Sequence, residues 1–545
     1  MQPSRVISLD APIGGWDAFN SLDNMPPDHA VILDNLIPGA GTVDTRKGTI
    51  EYGDTGTGLP VETVASLETD SDSRLVVASG GGVWDMTNSE PEVGAAATEE
   101  IAAPGTFSSD RWQTQNFRKL DEEGVLIMAN GVDDVQLYET PYTILSPAVF
   151  TKDNGGGGQD PIPGNFIGVI SFKGRCYYWY DDDDSFWYAQ AGSYQGELQE
   201  FNLGVIARKG GKIVLVTTWT QQDSGDGKDD FIVFVMSTGE VIIYQGDDPE
   251  TAGFWELVGR YTTAEPLSIR GVSQYGADTI LMTKDGYIAL STIVKQGQLS
   301  DVPAFSRLIS AAITQRTLTN AIQYGWDSVL FAKQGLFLFN IPLSDQTFEQ
   351  HVMNTVTNRW CRFKDINVIC FAEHNERLFG GTFDGRVLGL LESSADEGSP
   401  INFTGLPAFN YLDDPGNHKF ITAAQVLTTH PNPELIELTG YADFNFPNLP
   451  PLTTPVAQAP GVWSVYPAGY PPWVPPLPDP PTQAEAGSYW DEEYWSVSDS
   501  PFTTKGWQNV SAFGYAVSVL VRFNKINEGV SWRSTGIRFT NAGAQ

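Results

Sequence analysis

Four consecutive acids, Asp181, Asp182, Asp183 and Asp184, lie between YYWY and FWY, setting carboxylates beside aromatic rings as sugar-binding and sugar-cleaving sites do. Glycoside hydrolysis needs two carboxyls roughly 5 to 10 Å apart on rigid elements, whereas four acids in a row read as a solvated hairpin tip. In DSGDGKDD (residues 223–230) the acids do not fall together at positions 1, 3 and 5 of a calcium loop, where Gly225 and Gly227 take positions 3 and 5, and no Glu closes position 12, so a surface loop is expected. No GxSxG occurs, and His29, His351, His374, His418 and His430 fall into no HExxH or other metal spacing. The glycines at 155–158 lack the Lys-Ser or Lys-Thr of a phosphate-binding loop. These residues predict no catalytic site, no cofactor and no metal.

The elements around them are more informative. Seven segments share one shape, an apolar run, a turn usually built on glycine and a second apolar run: RLVVASGGGVWDM (74–86), GVLIMANGVDDVQLY (124–138), RCYYWYDDDDSFWYA (175–189), FIVFVMSTGEVIIY (231–244), TILMTKDGYIAL (279–290), SVLFAKQGLFLF (328–339) and RLFGGTFDGRVLGL (377–390). Their turn markers Gly82, Gly131, Ser185, Gly239, Gly286, Gly335 and Gly385 are 49, 54, 54, 47, 49 and 50 residues apart. A period near 50 predicts a mainly β chain folded as a β-propeller of six or seven blades, each blade burying its faces against its neighbours. A WD-type scaffold fits less well, because its period is shorter and no Trp-Asp ends the strands regularly. Gly131, Gly239, Gly286, Gly335 and Gly385 are the expected structural turns, since tight hairpins need positive φ.

Flanking regions differ from this middle. Residues 1–60 read as an N-terminal arm: MPPDHAVILDNLIPG offers Pro26 and Pro27 at a helix start, a stripe of Ala30, Val31, Leu33 and Leu36, and Pro38-Gly39 as the stop, with a strand after it. Residues 61–400 form the propeller, in which only 308–322 reads as helix and TKDNGGGGQDPIPG (151–164) as a flexible loop. Residues 401–545 form a C-terminal β-domain with a proline-rich excursion at about 447–484 that no sheet interior could accept. Its last two strands, YAVSVLVRFNK and VSWRSTGIRFT, read as a closing hairpin.

Of 545 residues, 67 are Asp or Glu against 32 Lys or Arg, a formal charge of −35, and no basic run exists to bind DNA by counterion release. No stretch approaches the roughly 18 apolar residues of a membrane helix, and the first residues lack the apolar core of a signal peptide. Three cysteines without CxxC spacing predict reduced thiols in a protein made in a cytoplasm. Charged residues are few (18%) and aromatics many (12%), which fits both strands packed blade on blade and surfaces covered by partners. Trp473, Trp490, Trp495 and Trp507 are candidate interface residues.

The opening APIGGWDAFNSLDNMPPDHAVILDNLIPGAGTVDTRKG (11–48), with its GG-x-D start, MPP-x-x-A-x-x-L-D-N-x-x-P core and R-x-G end, resembles the N-terminal signature of tail proteins from short-tailed phages. GYADFNFP, WDEEYW, GWQNVSAFGYAVSVLVRF and the final FTNAG resemble the C-terminal pattern of the same family, the tail tubular protein B or nozzle, related to packaged-DNA stabilisation proteins. That resemblance implies a structural virion protein and no enzyme: a homo-oligomeric, hexameric ring below the portal and adaptor, contacting tail fibres or distal tail proteins, which retains packaged double-stranded DNA and conducts it without tight binding. Localisation to the virion tail, after synthesis in the host cytoplasm, follows from the same resemblance. A carbohydrate-binding or glycan-cleaving propeller module of a tail, with its site at residues 179–187, is the alternative.

Overall fold

A computed structural model describes residues 4–542 except 71, 89–97, 119–122, 153–159, 223–227, 252, 297–304, 413, 430–435, 447–502, 505 and 526–528. The chain is mainly β. Alternating apolar runs broken by glycine turns fold into successive antiparallel sheets, each made mostly of neighbouring strands in sequence order.

The first sheet comprises Val61–Glu68, Ser73–Ser79, Gly82–Asp85 and Glu99–Ala102, and the second Gln113–Arg118, Gly124–Ala129, Gln136–Tyr138 and Leu145–Pro147. Phe166–Phe172, Arg175–Tyr180, Ser185–Ala189 and Gly196–Asn202 make the third, extended by the parallel strand Phe150–Lys152. Ile213–Gln222, Lys228–Met236, Glu240–Gly246 and Trp255–Thr262 form the fourth. The fifth has three strands, Val272–Tyr275, Asp278–Thr283 and Gly286–Ala289, and leads into the helices Leu290–Gln296 and Ser310–Asn320. Asp327–Phe331, Leu336–Pro342, Phe348–Asn354 and Arg359–Phe363 follow as the sixth set, and Cys370–His374, Arg377–Gly381 and Arg386–Ser393 as the seventh, whose fourth strand is Gly48–Asp54 from the other end of the chain.

The first strand of each set packs on the next set, and Cys370–His374 packs back on Val61–Glu68, so the seven sets close on themselves. Buried aromatic and aliphatic residues fill the spaces between them, for example Phe186, Phe234, Tyr244 and Tyr177 between the third and fourth. Each such side chain stabilises the closure by roughly 1.5 to 3 kcal/mol relative to exposure.

Six of the seven repeated segments supply the second and third strands of a sheet. The segment 328–339 instead supplies the first and second strands of the sixth set.

Residues 26–38, expected as a helix, are the strands His29–Asp34 and Leu36–Pro38. Ala30, Leu33 and Leu36, spaced by three, are all fully buried because Asn35, at φ 61°, turns a corner between two strands that face one core. Pairing decides the conformation: Ala30 to Asp34 runs antiparallel to Ile401–Pro407. The helix expected at 308–322 is present as Ser310–Asn320.

At the C-terminal end, two sheets share a core that includes Trp532, Ile537, Phe403, Val521 and Phe523. One joins His29–Asp34, Ile401–Pro407, Val517–Lys525 and Glu437–Ala442, and is continuous with the sixth set through Asp34 and Arg362. The other joins Leu36–Pro38, Val43–Thr45, Ser531–Ala542, His418–Thr429, Thr503–Thr504 and Gln508–Gly514, with Arg5–Asp10 on Ser531–Ala542. Val517–Lys525 and Ser531–Ala542 therefore do not form the expected hairpin; they lie in different sheets, Val517–Lys525 between Ile401–Pro407 and Glu437–Ala442, and Ser531–Ala542 along His418–Thr429.

Candidate functional site

Ring closure brings the residues just before or at the start of four first strands together at one end of the axis. Arg270 precedes the first strand of the fifth sheet, yet its Nη1 donates to the Glu62 carbonyl of the first sheet at 2.8 Å. Its Nη2 donates to Thr63 Oγ1 at 2.8 Å and to the Trp112 carbonyl, at the entry to the second sheet, at 2.6 Å. Tyr324, entering the sixth sheet, donates its hydroxyl to the same Glu62 carbonyl at 3.0 Å. Arg111 donates to Glu62 Oε1 at 3.1 Å and lies 4.1 Å from the Tyr324 ring centroid. The fifth and sixth sheets do not neighbour the first, so these side chains cross the axis.

Acids surround the crossing. Burial pushes the Asp110 carboxyl up to about 6, with Glu62 and Asp133 adding like charge, against hydrogen bonds from the Gly81 and Gly80 backbone. Asp327 is likewise pushed up to about 6 by burial, opposed by the positive charge of Arg270 and by donation from Phe371 N and Ser328 N. The cluster can hold backbone entries in register, but it pairs no nucleophile with a base. Among the described residues no group of three or more His, Cys, Asp or Glu is placed to hold a metal.

A second knot is built from the opening signature. Asn35 Oδ1 accepts from Arg46 Nε and from Lys364 N, while its Nδ2 donates to the Asn402 carbonyl. Arg46, its side chain fully buried, makes a bidentate pair with Asp396 at 2.9 and 2.6 Å. Asp34 accepts from Arg362 at 2.7 Å and Lys364 at 2.9 Å. Asp17 meets His29 at 2.6 Å. Burial alone would raise the Asp17 carboxyl, but donors from His29, Asn20 and Phe19 outweigh it and hold it at about 2. The signature thus ties the sixth and seventh sets to the C-terminal sheets.

The remaining sequence-picked residues are placed as follows. Gly131, Gly239, Gly286, Gly335 and Gly385 all have positive φ, at 78°, 76°, 144°, 64° and 94°. In the third repeat the left-handed residue is Asp182, not Ser185. Asp181 pairs with Lys212 at 2.7 Å, and the acidic tip lines an open cleft of about 510 Å³ with Gly211 and Ser237. Its aromatic neighbours Trp179 and Trp187 are buried between sheets, so they offer no platform for a sugar ring. Trp507 is partly exposed, with the Arg538 guanidinium 4.6 Å above its ring. Trp473, Trp490, Trp495 and the proline-rich excursion lie outside the described residues, as do residues 153–159 of the glycine-rich loop and 223–227 of the acidic one. Cys176, Cys361 and Cys370 are buried and unpaired. No described helix is long and apolar enough to cross a membrane. Nothing in the sequence marks Arg270 or Tyr324, because each is a lone polar residue before a strand.

No family model and no curated protein matches the chain. Solved structures with some similarity include the extracellular domain of the hybrid two-component system BT3049 from B. thetaiotaomicron, at 11% identity and TM-score 0.41, covering 66% of this chain and 43% of that one. The extracellular domain of the one-component system BT4673 from the same organism gives 10% identity and TM-score 0.40, covering 76% and 53%. The designed protein Ika8 gives 11% identity and TM-score 0.32, covering 66% and 96%. This chain therefore spans about half the length of the two natural domains, and at these TM-scores none of the likenesses bears on its function.

Proposed function

We propose that this chain is one subunit of a bacteriophage tail nozzle, a homo-oligomeric, hexameric ring that retains packaged DNA and conducts it during ejection, and that its seven sheet sets are the blades of a β-propeller. The observation that carries this reading is where the two resembling ends meet. Val43–Thr45, within the opening signature, pairs with Ser531–Ala542, as does Arg5–Asp10 just before the signature, and His29–Asp34 reaches Val517–Lys525 through Ile401–Pro407. Segments some 450 residues apart that carry one resemblance thus build one module.

Arg270 and Tyr324 crossing the propeller axis further support a conduit formed between copies, not within one chain. With a formal charge of −35, copies around that conduit repel the duplex over about 8 Å at physiological salt, so DNA slides without adhering. Adaptor-like and fibre-like tail proteins are the partners of this reading, and it assigns the chain no enzymatic step. Immunogold labelling of the phage particle that encodes the chain tests it: gold on the tail is expected, and gold on the capsid, or an unlabelled particle, overturns it.

A further inference from the structure

The outer face of the C-terminal sheet that carries His418–Thr429 and Gln508–Gly514 is aromatic and open. Phe513 is 56% exposed, Tyr515 42%, Phe420 41% and Trp507 38%. Phe420 and Phe513 stand directly opposite across the strand pair. The His418 ring stacks on Phe513 at 4.9 Å and 4°, and meets Tyr515 at 3.8 Å, so these rings form a continuous platform. Single exposed aromatics are ordinary; a row of them on one sheet face marks a binding surface.

The chain itself holds a matching ligand, and of its two attachment points one lies at the end of this sheet beside Tyr515 and the other lies on the sheet itself. On one side Asp443 accepts from Tyr515 N at 2.7 Å and Ala516 N at 3.1 Å, while Phe444 and Phe446 pack on Phe409, which brings the chain to residue 446 beside the platform. On the other, Thr503–Thr504 pairs with Leu427 and Thr428 and the chain then runs through Trp507 into Gln508–Gly514. Between them, residues 470–481 read YPPWVPPLPDPP, seven prolines in twelve residues. Such sequences favour the polyproline II form, which docks on aromatic surfaces at low entropic cost. More than 20 residues separate this stretch from each attachment point, and an extended chain spans about 3.3 Å per residue, so it reaches every part of a face some 20 Å long. Tethering at both ends sets an effective concentration near millimolar, so even weak docking is populated.

We infer that residues 470–481 of the same chain dock on the His418, Phe420, Phe513 and Tyr515 platform. The inference stands whether or not the chain is a nozzle subunit. It is tested in the full chain with one cysteine pair, Ser511→Cys on the exposed face and Val474→Cys in the proline stretch, since the native cysteines are buried. Mild oxidation should give an intrachain cross-link, seen as a compact monomer on a non-reducing gel. Adding Phe513→Ser with Phe420→Ser should slow that cross-link at least tenfold without moving the melting temperature. Three results overturn the inference: no cross-link, a cross-link only between copies, or one formed equally fast when the first cysteine is placed at the exposed Thr106 on the far ring of sheets. Where the double serine variant melts early, Tyr515→Ser alone supplies the same comparison.

Discussion

Replacing Arg270 with Ala removes the guanidinium that joins the fifth sheet to the first and second. Three charge-assisted hydrogen bonds are lost, at 2.8, 2.8 and 2.6 Å. Hydrogen bonds to charged groups contribute about 1.5 to 3 kcal/mol each when fully buried. The loss is smaller here, because Arg270 is only partly buried, Glu62 O keeps the Tyr324 hydroxyl and Thr63 Oγ1 keeps Trp112 N. A net cost of about 2 to 4 kcal/mol follows. With an unfolding entropy of about 2.1 cal/mol/K per residue, a cooperative transition of the whole chain loses about 1 °C per kcal/mol, giving a drop of about 2 to 4 °C. The deficit also depends on pH. Asp327 already titrates near 6 because burial outweighs the attraction of Arg270, and without that charge its ionised form becomes costlier still. The drop in Tm should therefore be larger at pH 8, where Asp327 is ionised, than at pH 5, where it is largely protonated. Arg270→Lys should restore the charge-dependent part but not the forked hydrogen bonds. Differential scanning calorimetry at both pH values checks this; a shift below 1 °C at both, or one that is the same at both, refutes the axial crossing as a stabilising element.

Gly385→Val and Gly239→Val should each cost about 1 to 3 kcal/mol, because valine resists φ near 94° and 76° and a Cβ at Gly239 would sit 2.2 Å from the Thr263 carbonyl; unchanged melting of either variant removes the strained turn at that site. Arg46→Met should cost about 3 to 5 kcal/mol by leaving Asp396 and Asn35 without their buried partner, read as a lower denaturation midpoint in urea, and a loss under 1 kcal/mol contradicts the knot. Asp110 is held near 6 in the folded chain against about 4 unfolded, so the native state binds the extra proton and stability falls as pH rises through that window. Asp110→Asn should thus gain on the parent by about 1 to 3 kcal/mol between pH 4 and 7 in paired urea titrations, and parallel profiles rule out the buried carboxyl.

The hairpins were legible because each is a local event: alternating apolar residues set the strand period and a glycine at positive φ sets the turn, as at Gly239 and Gly385. The N-terminal strands were not, since Ala30, Leu33 and Leu36 satisfy a helical stripe and only pairing with Ile401–Pro407, far along the chain, selects the strand. For the same reason the last two strands looked like a hairpin by adjacency while each pairs with a distant strand. The axial cluster had no sequence trace at all. Glu62, Arg111, Arg270 and Tyr324 have no common spacing, and only ring closure brings them within hydrogen-bond reach.

Image reconstruction by electron cryomicroscopy of the phage tail to which we propose this chain belongs tests the central claim most directly. The account predicts several copies of this chain around the tail axis, with DNA density between copies and none along the axis that Arg270 and Tyr324 cross. DNA running through the seven-sheet ring of a single chain, or a tail that does not contain the chain, would contradict it.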